Sequence, residues 1–410
     1  MQANVGSAQT YYFTSISANY FAKARVLGKS LKKFNPTAKF IVVLCDKIPE
    51  SVRMDEEIFD DILTLERIRY IDNINAFSFK HTVTELCTAV KPMAALEIME
   101  CYSAGSIIYL DPDIAVFNSL EELERMFEKS SILLTPHQLK PEVHDLYVRE
   151  NEILFLKRGS YNFGFFGVKA DEEGKSFLNW WRERLQNYCF DDNYDCLPEL
   201  SKDGLLGLFT DQKWADLIPS FFENYYIIRS PGYNVCTWNL TRRHLTIDLE
   251  GRIAVDGEPL CFFHFSGFDS GAHHNELQKL LNVEPQNKDV WKLSKWYKEE
   301  LQKNGQKIFE KIPPEYTVYS NGEIIRNADR KLFHIRKDVH KFFPDPYQVN
   351  DGFCFYTWVR TEYPQYFNEK QNVFRSSNKS NWKKTANKIF PAYSWLGRFI
   401  RKIYRLLRNM

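Results

Sequence analysis

"SIIYLDPDIAVF", residues 106–117, sets an apolar run directly against two aspartates that flank a proline. The run "SIIYL" (106–110) has the length and β-branched content of a buried strand. One aspartate at a strand end is ordinary turn chemistry. Two carboxylates one residue apart would point to opposite faces if the backbone stayed extended. A turn beginning at Asp111 brings both toward one point instead, and Pro112 fixes part of that geometry. Paired carboxylate oxygens suit Mg²⁺ or Mn²⁺, which keep waters and substrate phosphates in their coordination sphere. The segment therefore reads as a strand that delivers a cation–diphosphate clamp, set against the simpler reading of two loop aspartates.

Around this stretch the chain alternates strands and helices. "TYYFTSI" (10–16) is β-rich, "NYFAKARVLGKSLKKF" (19–34) carries apolar residues at helical spacing, and "KFIVVLCD" (39–46) is another buried strand. Short apolar strands joined by amphipathic helices predict parallel pairing in an α/β sheet. The spacing predicts a helix over "KPMAALEIMECYSAG" (91–105), ended by Gly105, a helix around 120–127, a strand over 131–136 and a helix over 175–188. Residues 137–160 and 190–208 are polar and turn-rich, as loops over a site are. "YNFGFFGVK" (161–169) carries two glycines where backbone approaches something closely. "FTDQKWADLIPSFF" (209–222) reads as a helix capped by Thr210 or Asp211, and "CFFHFSGF" (261–268) as a late strand. Ligands of open α/β sheets sit beyond the carboxyl ends of strands, where Asp111 and Asp113 stand.

The chain has 410 residues, 44% apolar and 15% aromatic, enough for a large core. Its net charge of +1 conceals an uneven distribution. Residues 370–410 hold eleven Lys/Arg and no Asp/Glu, which leaves 43 basic against 53 acidic residues in the body. An acidic body argues against nucleic acid as a partner. "WLGRFIRKIYRLLRNM" (395–410) forms a basic amphipathic helical pattern suited to an anionic membrane surface or to docking on the acidic body. Eight cysteines show no paired spacing and read as reduced thiols of a cytoplasmic protein, peripheral at the inner face of the membrane. No apolar run is long enough to span a bilayer as a helix.

Taken in order, these motifs resemble the GT-A-fold glycosyltransferases, nearest to the retaining, metal-dependent family 8 type and related bacterial surface-polysaccharide enzymes. The resemblance spans roughly residues 9–275 and implies a Rossmann-like mixed sheet flanked by helices. An accessory lobe (276–367), a basic linker (368–394) and the terminal helix (395–410) would follow this catalytic domain (1–275). By resemblance, Thr14, Ser15, Asn19 and Tyr20 contact the nucleoside, although Ile16 and Ser17 stand where the family often carries an acid. Lys91 would compensate diphosphate charge and Asn162 would contact the donor sugar. Asp211 and Gln212 of "TDQKW" would flank the anomeric carbon. Asp111, Asp113 and His264 of "FHFSGFDSG" would bind Mn²⁺ or Mg²⁺. Phe268, Asp269 and Ser270 replace the family's phosphate-holding lysine, and Arg242, Arg243 or a residue of the later lobe are candidates to take over its role. The implied partners are a nucleotide-sugar donor, which the resemblance makes a UDP-sugar, and a glycan or lipid-linked saccharide acceptor. The alternatives are a nucleotidyltransferase, whose glycine-rich basic loop is missing here, and a non-catalytic glycan-binding protein on the same fold.

Overall fold

A seven-stranded mixed sheet organises the protein, in the spatial order β3-β2-β1-β4-β7-β6-β8. A computed structural model describes residues 9–191 and 207–367. Most of the 190–208 segment, the 368–394 linker and the 395–410 helix lie outside the described residues. The strands of this sheet are β1 (Thr10–Ile16), β2 (Lys39–Leu44), β3 (Asp61–Thr64), β4 (Ser106–Leu110), β6 (Ile132–Pro136), β7 (Tyr161–Lys169) and β8 (Tyr225–Ile227). A short β5 (Ile114–Val116) follows β4 directly. The chain then adds a three-stranded meander of β9 (Leu245–Ile247), β10 (Ile253–Val255) and β11 (Glu258–Pro259), and finally β12 (Phe262–His264). β1 pairs in parallel with β2 and β4, whereas β7 runs antiparallel between β4 and β6.

Both faces of the sheet are covered, which is why its strands read as nearly continuous apolar runs. Alternate residues of β1 and β4 serve opposite layers. Tyr12 and Ile108 join the core under the Phe21–Phe34 and Val290–Lys303 helices. Phe13 and Tyr109 join the core under the Lys91–Cys101 and Glu172–Tyr188 helices. In that second layer the wholly buried Trp181 stacks on Phe177 at 5.6 Å between ring centroids. The described residues through Tyr347 form one compact unit and those from 348 to 367 belong to a second, which contains the Phe355–Glu362 helix.

Several elements differ from their sequence reading. The Lys91–Cys101 helix ends before Ser103, which takes a left-handed φ of 50°, so Gly105 is not its stop. Residues 137–160 are not simply a loop: helical turns run over Asp145–Tyr147, Val148–Glu152 and Ile153–Arg158. The expected 209–222 helix is a 3₁₀ stretch, Gln212–Leu217, followed by one α-turn, Ile218–Phe221. Asp211 makes no side-chain cap there, because its carboxylate is engaged elsewhere. Seven cysteines lie among the described residues and all are free, five of them buried. No described helix is long and apolar enough to cross a membrane.

Candidate active site

The spatial order of the parallel strands reverses between β1 and β4. Such a switch point opens a crevice at the carboxyl ends of the two strands. β4 delivers Asp111 into it. A turn then closes with Ile114 N–H donating to Asp111 O at 3.0 Å, with Pro112 in the position where its fixed φ suits the turn. The backbone resumes at once as β5, which pairs antiparallel with β12 and sets His264 opposite Ile114. Phe265 N–H donates to Asp113 O at 2.8 Å, locking the ribbon beside the turn.

The consequence is a three-residue cluster. His264 Nε2 lies 3.1 Å from Asp113 Oδ1 and 3.6 Å from Asp111 Oδ2. One donor atom from each of the three residues falls within 4.8 Å of the others. His264 is buried and each aspartate keeps a partly open oxygen edge. Burial pushes the Asp113 carboxyl up, but the His264 charge and hydrogen bond, with Lys23 beyond, bring it down to about 2. Gly164 on β7 leaves room for the cluster: a Cβ there would lie 2.8 Å from Asp111 Oδ2 and 2.6 Å from His264 Cε1. Two carboxylates, an imidazole and a cradle that tolerates only glycine fit a divalent cation of the Mg²⁺ or Mn²⁺ kind.

Behind the cluster runs a buried polar chain. Ser15 Oγ lies 3.0 Å from Tyr109 OH, which donates to Asp111 Oδ1 at 2.7 Å. Lys91 Nζ sits 4.3 Å over the Tyr109 ring, 3.6 Å from Asp111 and 2.9 Å from Asp211. Burial alone would pull the Lys91 ammonium down; Asp111 and Asp211 more than offset this and hold it above the ordinary lysine range. Asp211 thus spends its carboxylate on Lys91, which explains the missing helix cap. Thr210 beside it holds φ 43°, an uncommon strain for a β-branched residue and one that concentrates at functional sites.

These residues line a cleft of about 550 Å³, together with Ser17, Asn19, Tyr20, Asn162, Gln212, Ser266 and Pro314. Asn162 Oδ1 accepts from Gly164 N–H at 3.1 Å and from Asn234 Nδ2 at 3.0 Å. Gln212 Nε2 donates to Arg158 O at 3.0 Å. Of the thirteen residues named from the sequence for this neighbourhood, three stand apart. Thr14 is fully buried in β1 and does not line the cleft, since its side chain faces the layer opposite Ser15. Arg243 is buried and donates to the carbonyls of Pro231 and Tyr233 at 2.9 and 2.8 Å; neither it nor Arg242 lines the cleft.

A cation that the sequence reading passed over sits closer. Lys23, in the Phe21–Phe34 helix, is 3% exposed, bridges to Asp269 and stands 4.0 Å over the Tyr20 ring. Burial pulls it down, but Asp113, Tyr20 and Asp269 together raise its pKa above the ordinary lysine value. The signal was present: Lys23 shares an i, i+3, i+4, i+7 stripe with the buried Val26, Leu27 and Ser30. A lysine on such a stripe needs a charged partner.

No family model matches the sequence. The chain is 27% identical over 263 residues to the uncharacterized protein YfnF of Bacillus subtilis, covering 63% of this chain and 81% of that one. It is 25% identical over 188 residues to YfnD of the same organism, covering 46% and 55%. Among solved structures it is similar to the galactosyltransferase LgtC in complex with donor and acceptor sugar analogues, at 15% identity and TM-score 0.40, over 74% of this chain and 98% of that one. Mouse xyloside xylosyltransferase 1 follows at 14% and 0.36, over 63% and 98%. GlyE of Streptococcus pneumoniae stands at 13% and 0.35, over 76% and 67%. These structural neighbours are glycosyltransferases. Likenesses of this order leave the chemistry to be read from the chain's own side chains.

Proposed function

We propose that this protein is a metal-dependent glycosyltransferase. It would move a hexose-type sugar from a nucleotide-sugar, a UDP-sugar, to a glycan or lipid-linked saccharide acceptor in bacterial surface-polysaccharide synthesis. The observation that carries this reading is the convergence of Asp111, Asp113 and His264 at the switch point of the sheet, beside a cleft large enough for a nucleotide-sugar.

Asp111, Asp113 and His264 would hold a divalent cation, which supplies stabilisation of the charge that develops on the departing diphosphate. Ser15, Asn19 and Tyr20 stand at the carboxyl end of β1, where the nucleoside would lie. Lys91 keeps Asp111 and Asp211 fixed while adding positive charge under the site. Asn162 and Gln212 line the part of the cleft where the donor sugar would lie.

Retention is the outcome that the family 8 resemblance implies, and the residues beside the cleft bear on how it would be reached. Gln212 is an amide, and the Asp211 carboxylate is buried and ion-paired with Lys91, so neither offers a free nucleophile. The acceptor hydroxyl would then attack from the face the diphosphate leaves, with the leaving phosphate taking its proton. Membrane attachment rests on the basic amphipathic pattern at 395–410.

The test is UDP-sugar hydrolysis and transfer with and without Mn²⁺. Turnover that needs Mn²⁺, stops with EDTA and is lost in Asp111→Ala is expected. Full turnover in EDTA would end the proposal.

A further inference from the structure

A second cavity, of about 380 Å³, shares no lining residue with the cleft at the cation cluster. We propose that it binds a small phosphate ester, held by Lys80 and Lys341. This inference does not depend on the glycosyltransferase reading. It concerns a separate place in the fold, beside the turn that joins the Ile74–Phe79 and Val83–Ala89 helices. Arg330 clamps that turn by donating to the carbonyls of Phe79 at 2.8 Å and His81 at 2.7 Å.

Lys80 sits in the turn, lines the cavity and is 8% exposed. Its ammonium donates to the Gln186 carbonyl, and no carboxylate among the described residues pairs with it. An ammonium has three N–H groups, so two are left over at a buried position. A lysine this far from water ordinarily has a carboxylate beside it. The lack is not one of acids, which outnumber bases in the body of the chain. Burial, then Lys337, pull the Lys80 pKa down to about 8, which leaves it mostly charged at neutral pH. An anion in the cavity would supply the missing counter-charge.

The charges around it sum to a positive excess. Lys341, exposed at the cavity, also pairs with no carboxylate among the described residues. His340 spends Nε2 on the Phe333 carbonyl at 2.7 Å and keeps Nδ1 for a further bond. Asp72 is the one carboxylate of the lining; it is exposed and pairs with neither lysine. Nearby, Arg336 and Asp338 neutralise each other at 2.7 Å, whereas Lys337 adds its charge to that of Lys80. Two ammonium groups at one cavity answer a phosphate dianion better than a single carboxylate. Ile71, Phe77 and Met93 give the cavity an apolar side, and its volume leaves room for the carbon part of an ester.

Isothermal titration of the full chain at low salt tests this, with glycerol 3-phosphate, inorganic phosphate, glycerol and acetate as probes. EDTA in the buffer keeps the phosphates off any cation at Asp111, Asp113 and His264. Glycerol 3-phosphate is expected to bind more tightly than inorganic phosphate, and glycerol and acetate are expected not to bind. Lys80→Met should weaken the ester roughly tenfold or more, the loss of a charge-assisted hydrogen bond at a buried site. Lys341→Met should weaken it about threefold, as befits an exposed charge. That second variant keeps the test valid if Lys80→Met fails to fold. No binding of either phosphate at millimolar concentration overturns the proposal. So does tighter binding of inorganic phosphate than of the ester, acetate binding as tight as the ester, or an affinity unchanged in Lys341→Met.

Discussion

A Cβ atom on Gly164 would stand 2.6 Å from Cε1 of His264. The backbone of β7 is pressed against the cation cluster so closely that only glycine fits. Gly164→Ala should therefore displace His264 and Asp111 without deleting a ligand. Overpacking of this kind costs about 1–3 kcal/mol, and Mn²⁺ affinity should fall by roughly tenfold or more for the same displacement. Calorimetric Mn²⁺ titration, run beside thermal unfolding, checks both; unchanged affinity would remove Gly164 from the site.

Lys91→Met should leave the Asp211 carboxylate buried and unpaired. Breaking one side of a buried ion pair costs about 3–5 kcal/mol, a loss visible in urea denaturation. Adding Asp211→Asn removes the stranded charge and should restore part of that stability. If both variants unfold at the same urea concentration as the unmodified protein, the pair is not the anchor described above.

Lys23 does not itself line the cleft, but its charge acts on Asp113, and it is expected to assist the diphosphate through that nearby charge. Lys23→Met should weaken UDP binding by a few-fold at low salt, the loss of one nearby positive charge, and should leave uridine binding unchanged. Asp269→Asn, which frees the ammonium, should not weaken UDP. Equal losses for uridine and UDP would point to a purely structural lysine.

His81 and His334 are 1% and 2% exposed, with ring centroids 5.1 Å apart. Burial, then Lys80 for His81 and His81 for His334, hold both well below the ordinary histidine pKa. The unfolded chain protonates them near pH 6.5 while the folded chain does not. Below that pH the unfolded state binds more protons, so stability falls with acid, by up to about 1.4 kcal/mol per pH unit for each ring. Thermal unfolding from pH 8 to pH 5 should show the decline. A variant with both rings replaced by glutamine should lose less over that range.

Much of the sheet could be read from local pattern. Thr10–Ile16 and Ser106–Leu110 carry their strands in composition alone, and Asp111-Pro112-Asp113 announces its turn. The ion pair of Asp211 could not be read from the sequence, since a cap and an ion pair use the same residue type and its partner Lys91 is remote in sequence. Thr14 was misplaced by ignoring the strand's period of two, which sends Thr14 and Ser15 to opposite layers. The helical turns between Asp145 and Arg158 carry charges on several sides, and that blurs any apolar stripe.

The ribbon of β5 and β12 carries one more implication, for biosynthesis. His264 reaches Asp113 only through pairing with a segment made much earlier in translation. A nascent chain that has exposed Asp111 and Asp113 but not yet β12 lacks one of the three residues proposed to hold the cation. On the proposed reading, tight cation binding would therefore await synthesis of the chain through β12, and the ion would favour the folded state over forms that lack the β5–β12 pair.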